Sequence, residues 1–69
     1  MINVEDLKIG DFLENERANE LFIILKIIKQ NEIKCRFIAF YIKTIFGENK
    51  IEEGLMLHQN KSFFKKLNK

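Results

Sequence analysis

A single cysteine and a single histidine leave this chain of 69 residues with no internal disulfide and no set of four ligands for a structural zinc. Whatever it folds into is therefore held by apolar burial, within itself or against a partner. That condition is demanding, because a chain this short buries only about 60% of the surface its unfolded form exposes. The sequence answers with apolar side chain: 46% of its residues are hydrophobic, seven are Phe, and Ile recurs throughout. Such a supply fills one small domain, residues 1–69, and leaves a surplus that a second subunit or another protein would cover.

The kinds of apolar residue and their spacing select β structure. Three glycines, Gly10, Gly47 and Gly54, divide the chain into pieces of strand length. Asn3, ahead of Glu5 and Asp6, suits the start of one helical turn, since a short acceptor side chain satisfies free amides there. Leu7, Ile9 and Leu13 follow at even spacing around a Gly-Asp bend at Gly10 and Asp11. In Glu20 to Lys29, Leu21, Leu25 and Ile28 sit at helical spacing, but Ile23, Ile24 and Ile27 are β-branched and fit a pleated surface better. The segment is predicted as a strand. Ile33, Cys35 and Phe37 alternate with Lys34 and Arg36, the period of a half-buried strand, and Gln30 and Asn31 between the two runs make a hairpin turn.

Beyond Phe37 the alternation fails. Ile38, Ala39, Phe40, Tyr41 and Ile42 are apolar on both faces, so both faces are expected to be covered. Phe46 to Lys50 make a second turn around Gly47 and Asn49. Ile51, Leu55 and Leu57 then alternate with Glu52, Met56 and His58, interrupted at Gly54 by a bulge or a sharp coil. Phe63, Phe64 and Leu67 either close one end of the domain from a helical turn capped by Asn60 or Ser62, or form a last short strand. The expected fold is mainly β: a small antiparallel barrel of four or five strands, a form that hides sheet edges, with a short helical turn at one or both ends.

The stretch Leu7, Lys8, Ile9, Gly10, Asp11, Phe12, Leu13 is similar to the opening strand of many SH3-like barrels, where a hydrophobic-Gly-Asp-hydrophobic turn starts the domain. The resemblance implies the SH3-like fold. It leaves the ligand open, because such barrels bind proteins in some cases and nucleic acids in others.

Membrane spans are not expected: the apolar run from Leu21 to Leu25 is broken by Lys26 and ends at Lys29, against roughly 20 residues for a spanning helix. Met1 is followed by Ile2, Asn3, Val4, Glu5 and Asp6, without the basic and apolar regions of a secretory signal. A cytoplasmic location is the expectation, in keeping with one unpaired thiol. Twelve basic residues against ten acidic leave +2. All the basic residues except Arg17 and Arg36 are Lys, and with abundant Ile, Asn and Phe this is the bias of an AT-rich coding sequence.

Catalysis requires a nucleophile, base or metal beside an orienting group. His58 lies near Glu52, Glu53 and Ser62 at a strand end and reads as a rim side chain; Cys35, on the apolar face with Ile33 and Phe37, reads as a packed small hydrophobe. Glu14, Glu16, Arg17 and Glu20 read as a solvated loop, and no glycine-rich phosphate loop is present. No catalytic residue, metal or cofactor is assigned, and an enzyme is not expected.

Two modes of binding remain. In one, apolar residues in excess of the core, Phe40, Ile42, Phe46, Phe63 and Phe64, form an interface with another protein or a second copy of the chain. In the other, Lys26, Lys29, Lys34, Arg36 and Lys43 line one side of the central hairpin and Tyr41 offers a stacking platform for single-stranded nucleic acid. The near balance of charge favours the protein interface. A small inhibitor or regulatory accessory protein of a low-GC bacterium or its phage fits these expectations.

Overall fold

The computed structural model describes residues 2–43 and 48–67. It is mainly β: five antiparallel strands, β1 (Phe12–Asn15), β2 (Glu20–Gln30), β3 (Lys34–Lys43), β4 (Glu48–Leu57) and β5 (Phe64–Lys66), form one sheet in the order β4-β3-β2-β1-β5. Helical turns stand at both ends, a 3-10 turn at Val4–Asp6 and a 3-10 helix at His58–Phe63. The C-terminal segment is thus both of the things its sequence allowed, a helical turn followed by a short strand. The helix begins earlier than a cap at Asn60 or Ser62 would set it: its N-cap is Leu57, and Asn60, three residues on, reaches back so that its Oδ1 accepts from the Leu57 amide at 3.0 Å. The expected closed barrel is corrected in one respect. The outer strands β4 and β5 do not pair with each other, so the sheet is open.

The bend before β1 depends on glycine. Gly10 has φ +93°, a left-handed conformation that costs little only without a Cβ. Its amide donates to the Ile24 carbonyl at 2.8 Å, and the Ile24 amide donates to the Asp11 carbonyl at 3.0 Å, which fastens the turn to β2. The buried Asp11 carboxylate accepts the Lys8 amide at 2.9 Å and faces the Lys66 ammonium at 3.4 Å. Because the chain reverses here, Ile9 is exposed and does not join Leu7 and Leu13 in the core. The β1–β2 turn is held by Asn15, whose Oδ1 accepts from the Arg17 and Ala18 amides, with Asn19 at φ 51°.

Strand β2 explains its own mixed periodicity. Pairing with β3 runs Phe22↔Tyr41 and Ile24↔Ala39, then slips to Lys26↔Ile38 and Ile27↔Phe37, then again to Lys29↔Arg36 and Gln30↔Cys35. Each slip inserts one extra residue, Leu25 and then Ile28, and each restarts the alternation one position later. The inward positions are therefore Phe22, Ile24, Ile27 and Gln30, and the bulged Leu25 and Ile28 are exposed. Gln30 ends the series with a polar side chain that is put to use: its Nε2 donates to the carbonyls of Val4 at 3.0 Å and Leu7 at 2.8 Å, tying the N-terminal turn onto the sheet. The following turn is bracketed by Asn31, whose Oδ1 accepts from Ile33 and Lys34 amides, and it leaves Ile33 exposed where alternation predicted it inside.

The core lies against one face of the sheet, the inner face. Phe22 is its centre, stacked on Phe37 at 5.4 Å, tilted against Tyr41 at 5.1 Å and met edge-on by Phe64 at 6.0 Å. Val4, Leu7, Leu13, Ile24, Cys35, Ala39 and Met56 complete it. Strand β4 enters with the phase opposite to the expected one: Met56 is fully buried, Gly54 sits opposite Phe37, and Ile51 and Leu55 face outward. The Phe37 and Tyr41 rings occupy the space beneath Gly54, so the residue there has no side chain.

Candidate functional site

Residues directly opposite one another in an antiparallel sheet share a face, so the pairings define what the outer surface presents. With Leu13, Phe22, Phe37, Ala39 and Met56 turned inward, Phe12, Ile23, Phe40 and Ile51 are turned outward. These four are consecutive partners, Phe12↔Ile23, Ile23↔Phe40 and Phe40↔Ile51, and make an apolar row across β1, β2, β3 and β4. Leu21 and Ile42 pair beside it on one flank and Ile38 lies on the other. Ile51 is 65% exposed; Ile23, Ile38, Phe40 and Ile42 are half-buried. The doubly apolar stretch Ile38 to Ile42 thus has one face in the core and one toward solvent.

Of the five residues proposed for an interface, the structure brings two together here, Phe40 and Ile42. Phe64 is inward and belongs to the core. Phe63 is exposed at the end of the 3-10 helix, its ring beneath the Arg17 guanidinium at 4.5 Å, away from the row. Phe46 lies outside the described residues. Ile23 and Ile51, which flank Phe40, were not singled out by the sequence. Their signal is visible only through cross-strand pairing, and the β4 phase hid Ile51 among residues assigned to the core.

The basic residues occupy the other half of the same outer face. Lys29 is directly opposite Arg36, with Lys26 and Lys34 nearby in the pairing. Their field is interrupted: Arg36 is ion-paired with Glu53, Nε donating to Oε1 at 2.9 Å, and Ile38 stands between Lys26 and Glu53. Lys43 is placed only by its backbone pairing with Glu20 and Glu48. Tyr41 is no stacking platform. It is buried against Phe22, and burial, followed by the charges of Glu20 and Glu52, pushes its hydroxyl pKa up to about 12.

The groups that carry chemistry are dispersed. Cys35 is fully buried, and its burial raises the thiol pKa, the reverse of what activates a nucleophile. His58 is exposed, its amide donating to the Ile33 carbonyl at 2.7 Å, on the edge of an open cleft of about 550 Å³ between Glu5, Glu32 and Leu57. Among the described residues, no three His, Cys, Asp or Glu side chains are grouped to hold a metal, and no helix is long and apolar enough to cross a membrane. Compared with family models, with curated proteins and with solved structures, the chain gives no significant match.

Proposed function

We propose that the chain is a non-enzymatic binding domain that docks another protein on the outer face of its sheet, with Phe40 at the centre. The observation that carries this reading is the apolar row Phe12, Ile23, Phe40 and Ile51, which crosses four strands on one face of the sheet and ends at Ile51, 65% exposed. Interface centres combine large apolar side chains with a polar rim, and here Lys26, Lys29 and the Arg36–Glu53 pair form one side of that rim. In this role the chain works by occupying a partner's surface, as a small inhibitor or regulatory accessory protein does. The fold is read as SH3-like: a meander of four strands, then a 3-10 helix, then a short strand returning to β1 supports the resemblance of Leu7 to Leu13 to the opening of such barrels.

A second reading, binding of single-stranded nucleic acid, draws on one observation, the placement of Lys26, Lys29, Lys34 and Arg36 on a common face. It is the weaker of the two because Glu53 neutralises Arg36 and Tyr41 is buried. Affinity capture from nuclease-treated lysate of the source cell, with wild-type and Phe40→Ser baits, tests the ranking. The expected result is a protein retained by the wild type at moderate salt and absent with Phe40→Ser. Identical captures by both baits would refute it.

A further inference from the structure

The sheet has two very unequal edges. Strand β5 has three residues, whereas β4 has ten and pairs with β3 along its whole length, from Lys43↔Glu48 to Lys34↔Leu57. On its other side β4 pairs with no described strand. A long edge presents backbone donors and acceptors ready for another strand, and proteins usually guard such an edge with charge. Charges are present on β4, at Glu48, Lys50, Glu52 and Glu53, but their order does not repel every strand.

Consider a second copy of β4 laid antiparallel against the first about a two-fold axis perpendicular to the sheet. The axis must pass through a residue paired with itself, because only then do the faces of the two strands match. Centring it on Lys50, Glu52 or Glu53 sets a like charge against itself. Centring it on Ile51 sets Lys50 against Glu52 of the second copy, and Glu52 against its Lys50, so two opposite-charge pairs form by symmetry. Lys50 and Glu52 lie on one face of the strand, Nζ 3.1 Å from Oε2, so opposite charges flank Ile51 on that face and each would face the other's counterpart across the axis. On the opposite face Ile51, 65% exposed, meets its own copy, and the apolar row Phe12, Ile23, Phe40, Ile51 continues into the same row of the second sheet.

We propose that the chain forms a two-fold dimer by antiparallel β4–β4 pairing centred on Ile51, with Lys50 and Glu52 specifying the register. This goes beyond the outer-face reading and does not rest on it, since dimerisation is measured on the chain alone and a monomer leaves docking at Phe40 intact.

Sedimentation equilibrium on the full chain, with Lys50→Glu, Glu52→Lys and the exchanged pair Lys50→Glu/Glu52→Lys, tests the proposal, and circular dichroism verifies that each variant is folded. The wild type is expected at twice the chain mass of 8.3 kDa. Either single reversal places like charges opposite each other at two positions and weakens the dimer by about tenfold or more. The exchanged pair restores opposite charges and recovers the wild-type affinity to within about threefold. A wild-type monomer at millimolar concentration, single reversals without effect, or an exchanged pair that stays as weak as the singles would each overturn the proposal.

Discussion

Replacing Gly54 by Ala adds one methyl group, and the structure fixes the sign of its effect. A Cβ at this position would stand 2.5 and 2.8 Å from Phe37 Cε2 and Cζ, and closer still to the Tyr41 hydroxyl oxygen. Phe37 cannot give way easily, because its ring is buried and stacked on Phe22 with an interplanar angle of 5°. Overpacking of this kind costs about 1–3 kcal/mol. In open space the same substitution would stabilise by about 0.4–1 kcal/mol through loss of freedom in the unfolded chain, so the two cases differ in sign. A loss of about 2 kcal/mol in a domain of this size lowers Tm by about 8–16 °C. Urea and thermal unfolding followed by circular dichroism measure it. Combined with Phe37→Leu, which makes room, Gly54→Ala is expected to cost less than the sum of the two single changes. A Gly54→Ala protein as stable as the wild type, or more so, would refute the close approach of Phe37 and Tyr41 to Gly54.

Two further outcomes follow from polar groups at the edge of the core. Tyr41 is the only tyrosine, so tyrosinate absorbance reports it alone; its midpoint is expected near 12 in the folded protein and near 10 in denaturant. The folded state holds this proton more tightly, so the associated stability is complete below pH 10 and is lost as pH rises toward 12. A native midpoint at 10 would contradict the burial. Gln30→Ala removes the donor shared by the Val4 and Leu7 carbonyls and is expected to cost about 1–3 kcal/mol, with amide exchange quickened at Val4 to Leu7 ahead of β3. Unchanged exchange in that turn would show that Gln30 does not hold it.

The β class and the strand extents of the central hairpin were legible because β-branched residues and the Cys35–Phe37 alternation report a local preference. The Gly-Asp bend was legible for the same kind of reason, as its conformation demands particular residues at Gly10 and Asp11. Phase was harder. The bulges at Leu25 and Ile28 shift which residues face the core, and nothing local in a run of apolar side chains marks a bulge. Strand β4 went wrong at Gly54, where the absent side chain, rather than the apolar Ile51 and Leu55, identifies the inward face. The outer row depends on register between strands distant in sequence, so Phe40 could be named while Ile23 and Ile51 could not.

The central claim, that the apolar half of the outer face and not its basic half is the binding surface, is tested most directly by one variant from each half. Phe40→Ala and Lys29→Ala are to be titrated against the captured partner and a labelled single-stranded oligonucleotide at two salt concentrations. Phe40→Ala is expected to weaken partner binding by about 2 kcal/mol, roughly 30-fold, whereas Lys29→Ala stays close to wild type and the salt dependence is shallow. Tight oligonucleotide binding with a steep salt dependence, reduced by Lys29→Ala and indifferent to Phe40→Ala, would contradict it.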